Sequence, residues 1–177
     1  MTKTSTLALA VALALSAGSV HAQEYRDWDT DASGTIGESE FMAGAGETGA
    51  FGEWDADSDG LIAENEFQGG LYNTWDDDEN DELTEAEFTE GWNTWYGDTE
   101  VSYGEWDGDG SGALSEEEFG AGIADAGVYS QWESDETAGL NEEEFYGGAY
   151  GTVDADDDGE LAEAEYGEYE EDDDWLF

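Results

Sequence analysis

Asp55, Asp57 and Asp59 alternate along the chain, Gly60 follows, and Glu66 closes a twelve-residue window. Alternate carboxylates in a tight loop aim at one centre, and glycine at the sixth place supplies the positive φ that folds the loop around it. The seventh residue, Leu61, offers a backbone carbonyl, and Glu66 at the twelfth place can chelate with both of its oxygens. Hard oxygen donors in that order form a cage for a divalent cation. The aliphatic Ile62 at the eighth place faces away from the ion, where it can pair with its equivalent in another loop.

The pattern occurs six times, starting at Asp29, Asp55, Asp76, Asp107, Glu133 and Asp154. The first window offers Asp29, Asp31, Ser33, the Thr35 carbonyl and Glu40, and the second Asp55, Asp57, Asp59, Leu61 and Glu66. The third offers Asp76, Asp78, Asn80, Glu82 and Glu87, with Asp81 in place of glycine, a left-handed position that Asp tolerates. The fourth offers Asp107, Asp109, Ser111, Ala113 and Glu118, and the sixth Asp154, Asp156, Asp158, Glu160 and Glu165. The fifth departs most: Glu133 is too long for the first place, and Thr137 and Ala138 stand at the fifth and sixth. About five ions are therefore expected, with this loop weak or empty despite Asp135, Leu140 and Glu144.

Asp29 and Asp107, Asp55 and Glu133, and Asp76 and Asp154 are each 78 residues apart, so the chain repeats a three-window unit in tandem. Phe67-Gln68-Gly69-Gly70 and Phe145-Tyr146-Gly147-Gly148 agree at the same offset. The loops need helices to hold them, starting near the tenth place of each window. Only nine residues separate Glu66 from Asp76, so one helix from about Ala63 to Trp75 must serve two windows, with Phe67, Leu71 and Trp75 along one face. Such a helix is about 20 Å long. The eighth-place residues of windows two and three, and of five and six, therefore should not meet, and pairing should run between alternate windows or across the halves. Gly44, Gly46 and Gly49, and Gly120, Gly122 and Gly127, mark helices expected to be broken or kinked. Trp92, Trp95, Tyr96, Tyr103 and Trp106 read as core or as packing between the halves, and Trp175-Leu176-Phe177 as a tail folding back on it.

The chain has 177 residues, 50 Asp+Glu against 2 Lys+Arg, a net charge of −48, and neither proline nor cysteine. That charge excludes nucleic acid and anionic membrane as partners, because both require basic side chains. Lys3, the apolar run Leu7 to Ala17 and Val20-His21-Ala22 read as a signal peptide cut after Ala22, which implies a periplasmic or secreted protein. Past residue 22 there is no His, Cys or Lys and only Arg26. Triads, thiolate chemistry, Schiff bases and His-ligated zinc each lack a required group, so no enzyme is expected. Residues 23–100 form the first three-window unit and 101–177 the second, packed as one domain. Of the 50 acidic residues, 35 lie inside the six windows.

The windows resemble the calcium loop of the EF-hand superfamily, whose pattern those at Asp55 and Asp154 match in full. The resemblance covers nearly the whole chain past the signal peptide and implies an all-α fold: six EF-hand loops on short, partly shared helices. It implies calcium binding with folding coupled to metal, in a buffering, sensing or structural role. With Met42 the only methionine past residue 22, an adaptable Met-rich target groove is not expected. Two alternatives stay open. The compact spacing resembles the lanmodulin family of periplasmic lanthanide-binding proteins. That family's proline at the second place is missing here (Thr30, Ala56, Asp77, Gly108, Ser134, Ala155), as is its acid at the ninth (Gly37, Ala63, Thr84, Ser115, Asn141, Ala162). The other is a module that docks an unidentified protein partner when calcium is bound, as dockerins do.

Overall fold

Five windows are each followed by a helix that begins at the tenth residue. The computed structural model describes residues 25–96, 101–134, 139–154, 156–162 and 165; the expected signal peptide, Asp135, Thr137, Ala138 and the C-terminal aromatic tail lie outside them. In chain order the elements are α1 (Tyr25–Trp28), β1 (Ile36–Gly37), α2 (Glu38–Thr48), α3 (Ala50–Trp54), α4 (Glu64–Trp75), β2 (Leu83–Thr84), α5 (Glu85–Tyr96), α6 (Tyr103–Trp106), β3 (Ala113–Leu114), α7 (Glu116–Ala126), α8 (Tyr129–Trp132), α9 (Glu142–Val153) and β4 (Glu160–Leu161). The protein is mainly helical, with strands of only two residues each.

The helix starts follow from the ends of the windows. Ser115 and Asn141, at the ninth place, cap α7 and α9, each accepting a hydrogen bond from the backbone N–H of the twelfth-place glutamate, whose carboxylate accepts from the cap's own N–H. This reciprocal capping box satisfies N–H groups that the first helical turn would otherwise leave unpaired. Three acids in the first turn of each of these helices sit at the positive end of its dipole.

As expected, α4 is one unbroken helix shared by windows two and three, and α9 serves five and six in the same way. The expected breaks after Phe41 and Phe119 fall at the last glycine of each set, where α2 gives way to α3 and α7 to α8. Gly44, Gly46, Gly120 and Gly122 lie within the continuous helices α2 and α7, while Gly49 and Gly127 end them with φ of 82° and 68°. The interior glycines make room. A Cβ placed on Gly44 or Gly122 would come within 2.5 or 2.2 Å of the indole of Trp28 or Trp106. Gly70, Gly91 and Gly148 stand in the same relation to Trp54, Trp75 and Trp132, at 2.4, 2.3 and 2.3 Å. The tryptophan before each of the first five windows is thus laid across a glycine sixteen residues onward.

The eighth-place residues join the loops in pairs. β1 runs antiparallel to β4 with Ile36 opposite Leu161, β2 antiparallel to β3 with Leu83 opposite Leu114, and Ile62 bridges Leu140. Windows one and six, two and five, and three and four therefore pair, always across the two halves. All six side chains are completely buried. Helix packing follows the same rule, with α2 against α9 and α4 against α7.

Around this spine the core is aromatic. Phe41, Phe67, Phe88, Phe119 and Phe145, each following a window's closing glutamate, are buried, and burial of each contributes about 1.5–3 kcal/mol. Edge-to-face contacts carry the core from half to half: Trp54 meets Phe145 at 5.1 Å, Phe67 meets Trp132 at 5.0 Å and Trp75 meets Phe119 at 5.1 Å. Trp92 is buried, while Tyr103 and Trp106 pack half-buried against the same cluster, as expected; the side chains of Trp95 and Tyr96 lie outside the described residues.

Candidate metal centres

Within each of five loops the first residue organises the turn. Asp29 accepts hydrogen bonds from the backbone N–H groups of Ser33 and Gly34 at 2.9 and 3.0 Å, one on each carboxylate oxygen. Asp55, Asp76, Asp107 and Asp154 take the equivalent two N–H groups of their own windows. The sixth-place residue is left-handed throughout: Gly34, Gly60, Gly112 and Gly159 have positive φ, and Asp81 adopts φ 63° as expected. The fourth place is left-handed too, in Ala32, Ser58, Glu79, Gly110 and Asp157. Sequence reasoning missed this, since only Gly110 and Asp157 carry residue types that signal it, and Ala32, Ser58 and Glu79 do not.

The closing glutamate ties the two ends of the loop. Glu40 accepts from Thr30 and Asp31 N–H through Oε1, at 2.8 and 3.1 Å, and from Gly37 N–H through Oε2 at 3.1 Å. Glu66 repeats this with Asp57 and Ala63, and Glu118 with Gly108 and Ser115. The Thr30 hydroxyl, followed by the Gly37 N–H, holds the Glu40 carboxyl below the usual range for its type. Ser115, first through its backbone N–H and then through its hydroxyl, does the same for Glu118. Asp77, which is not among the expected ligands, is pushed up instead by partial desolvation and by the charge of Glu87.

These constraints converge the first, third and twelfth residues. Oxygens of Asp29, Asp31 and Glu40 lie within 4.8 Å of one another, as do those of Asp55, Asp57 and Glu66; of Asp76, Asp78 and Glu87; of Asp107, Asp109 and Glu118; and of Asp154, Asp156 and Glu165. Fifteen of the expected ligands are brought together, in the five windows expected to hold metal. The fifth-place residues stand beside these clusters. Asp59, Asn80 and Asp158 accept the N–H of Leu61, Glu82 and Glu160, while Ser33 and Ser111 donate their hydroxyls to the carbonyls of Thr35 and Ala113 at 2.9 and 2.7 Å.

The donor set fits a hard cation. Three carboxylates within 4.8 Å of one another repel, and the chain past residue 22 has a single basic side chain, Arg26, with which to offset five such groups. Backbone N–H groups orient the carboxylates and leave further lone pairs on the same oxygens for a cation. In window five, Glu144 accepts from the N–H and hydroxyl of Ser134 and the N–H and side-chain amide of Asn141. Glu133 Oε1 is buried without a hydrogen-bond partner among the described residues. Among the described residues no helix is long and apolar enough to cross a membrane. No family model, curated protein or solved structure matches the chain.

Proposed function

We propose that this is an exported calcium-binding protein built from six EF-hand-like loops, five of which hold calcium, and that metal binding drives its folding. The observation that carries this reading is the convergence of the first, third and twelfth residues in those five windows. The third-place and fifth-place side chains, the seventh-place carbonyl and both oxygens of the closing glutamate would complete each shell. Removal of residues 1–22 leaves a chain of charge −49, and five divalent ions would return ten positive charges to the places where carboxylates crowd. Binding energy of this kind appears as folding energy.

No catalytic step is assigned to the chain. Outside the cytoplasm, where calcium is abundant, loops with a dissociation constant of about 10⁻⁴ to 10⁻³ M would respond to its level, and tighter loops would stay filled as structural elements. The test is circular dichroism of the chain lacking residues 1–22, in chelator and after calcium addition, with isothermal titration to count sites. Helix content that rises with calcium and saturates near five ions per chain is expected. Equal helix content in both conditions, or no heat of binding, overturns the reading. Terbium competition in the same titration decides between calcium and lanthanide preference.

A further inference from the structure

The pairing of the windows has a two-fold symmetry that the duplication alone does not require. Moving Ile36 forward and Leu161 back by the 78-residue repeat gives Leu114 and Leu83, which form the other ladder, while Ile62 and Leu140 exchange places with each other. The packing of α2 on α9 maps onto that of α7 on α4. Trp54 on Phe145 maps onto Trp132 on Phe67, at 5.1 and 5.0 Å, and Phe41 on Tyr150 onto Phe119 on Tyr72, at 5.5 and 5.6 Å. Every window of one half has its ladder partner in the other. The face that each unit turns to its neighbour is therefore its own complement, as in an isologous dimer whose two-fold axis passes through the Ile62–Leu140 bridge.

We propose that two copies of the chain exchange halves through this face, the first unit of one seated on the second unit of the other. The exchanged dimer makes every contact of the single chain and needs no new surface, so only the connection between Tyr96 and Tyr103 decides which partner is taken. A short connection gives the tethered half an effective concentration of roughly millimolar. The single chain wins in dilute solution. Exchange competes when chains fold together near that concentration, and the three ladders then hold the product.

The test uses the full chain, which has no cysteine of its own. Thr84 and Ala113 face each other across β2 and β3, one exposed and one half-buried. Separate T84C and A113C chains are unfolded in urea, mixed, refolded by dilution, oxidised and sized, with T84C/A113C in one chain as the control. Gly37 and Glu160 face each other across the symmetry-related ladder of β1 and β4, and G37C with E160C gives a second readout.

Crosslinks between unlike chains should exceed the one-half share set by random collision and grow in proportion to concentration at refolding, up to about 500 µM, approaching the effective concentration. They should fall to the random share when the chains are mixed after folding. Random or absent crosslinks at that highest concentration, while the control closes within its own chain, overturn the proposal. So does a control that fails to close at both positions. Refolding is run with and without calcium chloride. Closure of the control reports folding in either case, so failure of the metal reading and failure of exchange are separate results.

Discussion

Ile62 and Leu140 exchange two backbone hydrogen bonds, Ile62 N–H to the Leu140 carbonyl at 2.8 Å and Leu140 N–H to the Ile62 carbonyl at 2.9 Å. Both side chains are completely buried, and Tyr129 donates its hydroxyl to the same Ile62 carbonyl at 3.0 Å. One bridge thus ties a window with every expected ligand to the window that departs most from the pattern. Leu140→Ala is expected to cost about 2–5 kcal/mol. Urea unfolding in calcium should show a lower midpoint at unchanged slope, and an unchanged midpoint would mean that the bridge carries no packing.

Two glycines of α9 separate steric need from backbone freedom. A Cβ on Gly148 would come within 2.3 Å of the Trp132 indole, whereas one on Gly151 meets nothing within 4 Å. Gly148→Ala should destabilise by about 1–3 kcal/mol and shift the tryptophan emission. Gly151→Ala should instead stabilise by about 0.5–1 kcal/mol, because alanine loses less backbone entropy in a helix. Thermal melts of the pair decide it, with the same sign for both as the contrary result.

Glu66 closes a window whose carboxylates converge, while Glu144 closes the window whose first residue is the longer Glu133. Glu66→Gln should lower the calcium stoichiometry by about one ion, since an amide cannot chelate through two oxygens. Glu144→Gln should leave the count unchanged. Isothermal titration reads both, and loss of an ion from Glu144→Gln would assign a site to the fifth window.

Tyr72 and Tyr150 occupy equivalent places in the two halves but differ in bonding. The Tyr72 hydroxyl donates to the carbonyls of Asp81 and Leu114 at 2.9 and 3.0 Å, whereas the buried Tyr150 hydroxyl has no hydrogen-bond partner among the described residues. Tyr72→Phe should cost about 0.5–1.5 kcal/mol, and Tyr150→Phe should be neutral or stabilising. Chemical denaturation of the two variants makes the comparison.

Burial, reinforced by the charge of Asp154, raises the Tyr150 phenol to about 12. An unfolded tyrosine releases its proton near 10, so the folded state holds this proton more tightly. The associated stability is fully present below pH of about 10 and lost as pH rises toward about 12. Tyrosinate absorbance should show a late-titrating phenol that Tyr150→Phe removes; an unchanged titration curve would contradict the assignment.

The helix starts, the shared helix from Glu64 to Trp75 and the carboxylates at the first, third and twelfth places were all legible in the sequence. Each depends on local spacing, which the sequence displays directly. The choice of ladder partner was not, because Ile36, Ile62, Leu83, Leu114, Leu140 and Leu161 are chemically alike and none is a key to another. Spacing excluded Ile62 with Leu83 and left the rest to packing. The interior glycines misled for a related reason. Gly44 and Gly122 read as helix breakers in isolation, and their purpose becomes visible only beside Trp28 and Trp106, which fold onto them across a loop.

The three pairings are nested like brackets, and chain entropy favours closing them from the inside outward. Leu83 and Leu114 enclose the shortest stretch of chain, Ile62 and Leu140 a longer one around it, and Thr35 reaches Glu160 across 125 residues at the outside. Each closure brings the next pair of ends closer and lowers the entropy lost in joining them. The innermost ladder is thus placed to form first and the outermost last, so the earliest window to be synthesised waits for the latest. Damage at the C-terminal end is then felt at the opposite end of the sequence, where Ile36 loses the strand that covers it.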